Sequence, residues 1–178
     1  ELGIKDLTGL EYATKLVGFL ILSENQITDI SPLRGLSQLE GISIYKNQIT
    51  DLAPLSGMSN LQWLQFNDNQ ISDVTPLSGL IKLERLTLGK NKITDVKALA
   101  GLTKLGRLDL DNNKLSDVSP LAGLTELTVL HLHFNKITDV KPLSNLTKLK
   151  TLDLRGNTIS DAQREMLQKA LTNCRIQF

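Results

Sequence analysis

The sequence predicts an α/β solenoid: a curved stack of 22-residue units with a parallel β-sheet on the concave face. Short 3-10 or turn segments would line the convex face, and a helix would cap the C-terminal end. Three observations carry this. Asparagines recur at a strict spacing of 22, at Asn25, Asn47, Asn69, Asn91, Asn113, Asn135 and Asn157. An apolar skeleton accompanies each, as Leu127, Leu130, Leu132, Ile137, Val140, Leu143 and Leu146 accompany Asn135. All five prolines (Pro32, Pro54, Pro76, Pro120, Pro142) occupy one repeat position.

Each part of the unit has a physical reason. In L-x-x-L-x-L, leucines two apart point to one side of a strand and the residues between them to the other. The asparagine that follows turns the chain, and its amide can satisfy backbone groups that a buried turn would orphan. Proline presets the first turn of a short helical segment without removing a needed donor. Ala98 replaces it in one interior repeat, whose convex turn should start less rigidly. Asp29, Asp51, Asp73, Asp95, Asp117, Asp139 and Asp161 also recur in register, which marks them as turn residues rather than catalytic acids. This is the leucine-rich-repeat pattern, and the fold class is a leucine-rich-repeat solenoid.

In chain order, residues 1–15 read as a partial N-terminal repeat, since Ile4–Leu16 aligns with Ile27–Leu39. Gly9 stands there at the proline position and Leu2 at the asparagine position. Residues 16–159 hold seven strand-bearing repeats, with strands starting at Leu16, Leu39, Leu61, Leu83, Leu105, Leu127 and Leu149. The first strand carries one extra residue, which a bulge at Val17-Gly18 would absorb. Residues 160–178 form a helix–strand cap. Asp161–Leu171 has helical apolar spacing, Ser160 and Gln163 make a capping box, and Asn173 stops the helix. Cys174–Phe178 is a short terminal strand or tail, and Cys174 packs in the cap as a small apolar residue. All 178 residues are thus read as a single domain.

Composition narrows the function. Apolar residues at 40% and charged residues at 22% describe an ordinary globular chain. A net charge of +1 argues against a dedicated nucleic-acid binder. That average hides an asymmetry: residues 1–81 hold four Lys/Arg against nine Asp/Glu, and residues 82–178 hold sixteen against ten. The single cysteine excludes an intramolecular disulfide, and no apolar run approaches the ~18 residues of a membrane span. The chain opens at Glu1 in mid-pattern without an initiator Met, which reads as a mature or excised fragment.

The segment NQITDISPLRGL at Asn25–Leu36, with copies such as NKITDVKPLSNL at Asn135–Leu146, resembles the 22-residue repeats of bacterial internalin-type leucine-rich-repeat proteins. The resemblance spans nearly the whole chain. It implies a curved domain, secreted or displayed on a bacterial surface, whose concave sheet grips a protein partner; the cytoplasm is the alternative compartment. Residues 1–178 are expected to hold neither the helical cap usual before the first repeat nor an immunoglobulin-like or wall-anchoring region. The closing segment reads instead as a cap of its own.

Repeats supply their own control, because positions fixed across copies serve the fold and positions that vary are free for binding. The variable positions are the outward strand residues and the residue just past each strand. Among them, Phe19, Tyr45, Trp63, Arg85, Arg107 and Phe134 are expected to bind a protein partner, as aromatic and arginine anchors do. A polar cluster completes the candidate set: His131 and His133 share a face, with Asp109 and Asp153 beside His131, and Asp111 and Arg155 beside His133. Histidine–carboxylate pairing is expected there ahead of a zinc site, because no dedicated metal motif is present. Seven strands ~4.8 Å apart, each showing ~5 residues, give a strip of roughly 550 Å². That is modest beside the ~800 Å² of a standard interface. No nucleophile elbow, phosphate loop or H-E-x-x-H appears, so no enzyme, cofactor or metal is expected. The reading is a monomeric protein–protein interaction module that takes a protein ahead of a glycan, binds no nucleic acid and inserts into no membrane. The alternative is a structural spacer of a larger bacterial protein.

Overall fold

The computed structural model describes residues 2–178; Glu1 lies outside them. Eight parallel strands form one open sheet in strict sequence order. They are β1 (Gly18–Ile21), β2 (Leu39–Ser43), β3 (Trp63–Gln65), β4 (Arg85–Thr87), β5 (Arg107–Asp109), β6 (Val129–His131), β7 (Thr151–Asp153) and β8 (Arg175–Gln177). A parallel neighbour needs a crossover. Here a 3-10 turn on the opposite face supplies each crossover from β1 to β7, five of these six turns carrying proline at the first or second position. The Ala98 repeat forms the same turn over Lys97–Leu99, because the Asp95 carboxylate accepts from the Lys97 N–H at 2.8 Å whatever residue follows. Asp29, Asp51, Asp73, Asp117 and Asp139 accept in the same way from the backbone N–H two residues on. The repeated aspartates are therefore turn residues, with Asp161 differing as the first residue of a helix.

The core is one continuous column of Leu, Ile and Val between sheet and turns. The asparagine amides stitch its edge. Asn113 accepts from the Ile93 N–H at 2.9 Å and donates to the carbonyls of Leu88 and Leu110 at 3.0 and 3.1 Å. Each amide thereby ties its own strand end to the repeat before it. The first strand takes up its extra residue by a register shift between Gly18 and Phe19, with Gly18 at φ 76°.

The C-terminal end closes with helix α1 (Asp161–Ala170) and β8, which pairs with β7. Only half of the expected capping box forms. Ser160 Oγ accepts from the Gln163 N–H, but the Gln163 side chain reaches back to accept from the Val140 N–H at 3.0 Å. Packing α1 onto the last convex turn brings that buried donor closer to Gln163 than its own N-cap. Cys174 sits half-buried against the core, and burial pushes its thiol pKa up.

Candidate functional site

The parallel register lays the outward residues in rows across the concave face. One row runs Phe19, Gly41, Trp63, Arg85, Arg107, Val129, Thr151. The next runs Ile21, Ser43, Gln65, Thr87, Asp109, His131, Asp153. A third, just past the strands, runs Ser23, Tyr45, Asn67, Gly89, Asp111, His133, Arg155.

The two ends of this face differ in chemistry. At the N-terminal end Phe19 is exposed and leans over Gly41 to meet Trp63, their ring centroids 5.6 Å apart. Only glycine allows this, since a Cβ at position 41 would overlap the Phe19 ring and crowd Trp63. Tyr45 is more restrained, because its hydroxyl donates to the Glu24 carboxylate, which also pairs with Lys46 at 3.1 Å.

Toward the C-terminal end lies the polar cluster, in which Asp109 and Asp153 flank His131 in one row as expected. Asp109 and Asp153 are not open: only 6% and 4% of their surface is exposed. Arginine side chains from the same strands fold over them, Arg107 donating to Asp109 at 2.9 Å and Arg155 to Asp153 at 2.9 and 2.6 Å. For the same reason Arg155 does not sit on His133. His131 pairs with Asp109, Nδ1 lying 2.9 Å from Oδ1. The N–H does not aim along that line, so this is an ion pair when the ring is protonated and not an aligned hydrogen bond. His133 lies diagonally between Asp111, at 3.6 Å, and Asp153, at 3.3 Å. Strand twist offsets the rows enough to make the diagonal neighbour the nearer one. Among the described residues, no group of three His, Cys, Asp or Glu is arranged to hold a metal ion.

Phe134 ends the cluster, exposed on the rim, stacked edge-on against His133 at 5.5 Å and lying over Gly156. It also sits in the left-handed region at φ 54°, as do Glu24, Lys46, Asp68, Lys90 and Asn112 at the equivalent positions. Every repeat makes this turn, and a bulky aromatic is the residue least suited to it. Sequence reasoning missed this ladder, although Gly156, Asn112 and Asp68 at one repeat position were its signal.

Sequence reasoning also missed a rim depression of about 620 Å³ lined by Glu84, Arg85, Lys104, Gly106, Arg107, Glu126, Thr128 and Val129. Its signal was Gly106, which interrupts a column otherwise holding Glu40, Gln62, Glu84, Thr128 and Lys150. A second depression of about 400 Å³ lies across the arginines, over Trp63, Gln65, Asn67, Thr87 and Asp109.

The cluster makes a pH-dependent element. Contact with Asp109 raises the His131 pKa above its ordinary 6.5, and burial opposes the rise. Burial likewise works against ionised Asp109, but His131 and Arg107 outweigh it and hold the carboxyl below its usual range. The raised imidazole contributes stability that is fully present below 6.5 and is lost as pH rises through the folded-state value. The depressed carboxyls of Asp109 and Asp153 contribute stability present above their ordinary range and lost as pH falls through their folded values. A histidine NMR titration should therefore find His131 above 6.5 in the wild type and shifted down in Asp109→Asn, where Arg107 faces the ring unneutralised. An unchanged midpoint in the variant would refute the pairing.

A family model of leucine-rich repeats (two copies) matches residues 19–57, 59–100, 81–123 and 125–165. An internalin (inlF) from Listeria monocytogenes is similar at 34% identity and a TM-score of 0.95, over 99% of this chain and 51% of that one. An internalin C2 (inlC2) from the same organism is similar at 36% identity and a TM-score of 0.92, over 99% of this chain and 76% of that one. A leucine-rich-repeat protein of Leptospira interrogans is similar at 30% identity and a TM-score of 0.88, over 95% of this chain and 44% of that one. This chain thus spans about half of the first of these. No curated protein matches the chain. No helix among the described residues is long and apolar enough to cross a membrane.

Proposed function

The chain belongs to the leucine-rich-repeat family and is of the internalin type, and on that footing we propose that it binds a protein ligand through its concave sheet face. Residues 1–178 act as one such domain, monomeric and without catalytic chemistry, secreted or displayed on a bacterial surface. One observation carries the reading: Phe19 and Trp63 meet over Gly41 on the open face, with Arg85 and Arg107 following in the same row. Exposed aromatic and arginine anchors of this kind supply most of the energy in protein interfaces. Behind Phe19 and Trp63, Ser43 bonds Ser23 at 2.7 Å and Gln65 at 2.9 Å, which holds that part of the floor in place as the anchors engage.

The test is capture of a partner from bacterial or host lysate, followed by affinity measurement with the purified pair. Phe19→Ala combined with Trp63→Ala should weaken binding by ~30-fold or more. Lys114→Ala, an exposed change outside the three concave rows, should leave it unaltered. Equal affinity for the wild type and the aromatic double variant would sink the concave-face assignment.

A further inference from the structure

Arg85 and Arg107 are register partners on adjacent strands, so their side chains leave the sheet about 4.8 Å apart. Like charges directly opposite one another in a sheet repel. Arg107 is answered by Asp109, to which it donates at 3.3 and 2.9 Å. The Arg85 side chain is exposed and makes no hydrogen bond or ion pair among the described residues. The neighbouring carboxylates do not relieve it: Glu126 is held by Lys148 at 2.7 Å, and Glu84 makes no ion pair among the described residues. Both arginines line both depressions. They also stand where the basic surplus of residues 82–178 begins, beside the apolar Phe19–Trp63 cleft of the acidic half.

The floor of the smaller depression adds an independent sign. Asn67 Oδ1 and Thr87 Oγ1 are buried there without any hydrogen-bond partner. Buried polar atoms are rarely left so. Both can accept a hydrogen bond, and an extended peptide carries the free backbone N–H groups that a helix has already used.

We infer that the arginine pair is the subsite for a carboxylate of the protein partner, delivered by an extended segment that also seats an apolar side chain on the Phe19–Trp63 pair covering Gly41. This rests on the concave-face reading above and gives its ligand a chemistry. From Gly41 to the point between Arg85 and Arg107 is two and a half strand spacings, about 12 Å. An extended chain rises ~3.3 Å per residue with alternating side chains, so four residues span ~13 Å and return to the same face. The recognised pattern is an apolar residue at one position and Asp or Glu four residues later. The guanidinium pair holds the carboxylate, and the Asn67 and Thr87 side chains turn outward to accept backbone N–H groups in between.

The probe is a capped pentapeptide with leucine first, glutamate fifth and Ser-Thr-Ser between, titrated into the isotopically labelled protein. The NMR readouts are the Arg85 and Arg107 Nε–H signals and the Trp63 indole N–H. All three should shift saturably, and replacing glutamate by glutamine in the peptide should weaken binding by about 10-fold. Arg85→Gln, an exposed change that leaves the core untouched, should bind both peptides at the weaker level. Equal affinity for the two peptides overturns the proposal, as does the absence of any shift at ~10 mM peptide. A response to inorganic phosphate without discrimination between the peptides also overturns it, in favour of a phosphate site. A captured partner that is lost with Phe19→Ala and Trp63→Ala but insensitive to Arg85→Gln overturns this inference and leaves the concave-face reading standing.

Discussion

Asn113→Ala should lower the unfolding free energy by about 3 kcal/mol, because it orphans a buried backbone N–H and removes two further buried bonds. The carbonyls of Leu88 and Leu110 each keep a second partner, since Asn91 donates to Leu88 at 2.9 Å and Asn135 to Leu110 at 2.9 Å. The Ile93 N–H has only the Asn113 oxygen, at 2.9 Å. The cost therefore combines a full desolvation penalty at Ile93 with weaker losses at the shared carbonyls. Asn113→Asp should be worse at neutral pH. It keeps the acceptor for Ile93 but turns a carboxylate toward two carbonyls that expect a donor. Protonation restores a donor, so this variant should recover part of its stability as the pH falls through its raised carboxyl pKa. Urea unfolding at two pH values measures both effects. A loss under 1 kcal/mol for Asn113→Ala would mean that water replaces the amide, and the ladder would then be a packing feature only.

Phe66→Ala should cost about 3–5 kcal/mol by opening a large cavity in the column. Phe66 is 1% exposed and occupies the position that Ile44, Leu88, Leu110, Leu132 and Leu154 fill in other repeats. Phe66→Leu copies that solution and should cost much less, unless the flanking layers have grown around the ring. Each repeat touches mainly its neighbours, so the damage should be local. Hydrogen exchange should accelerate first in β2, β3 and β4, with the C-terminal repeats slower to respond. A uniform acceleration along the sheet would show that the solenoid unfolds as one cooperative unit.

Much of this was written in the sequence because repetition averages out local ambiguity. Seven asparagines at one spacing fix the turn, and the glycine after Val17 locates the register shift that Phe19 then begins from. The candidate site was less legible. The register correctly put His131 beside Asp109 and gave the aromatic and arginine residues one row. It could not say that Arg107 and Arg155 fold back two residues onto carboxylates of their own strands, leaving Asp109 and Asp153 buried. That choice depends on side-chain rotamers competing for the same charges, which no spacing rule encodes. The diagonal approach of His133 to Asp153 depends likewise on twist.

The sequence by itself determined the solenoid, the order of its seven repeat strands and the inward leucine positions, because a period of 22 leaves apolar side chains one way to be buried together. Tertiary structure decided which outward residues are available. It laid Phe19 across Gly41 onto Trp63, sealed Asp109 under Arg107, and left Arg85 as the unanswered cation between them. The physical reason is that burial of leucines is a one-body preference readable at each position. Exposure on a concave face is settled among neighbours on three different strands.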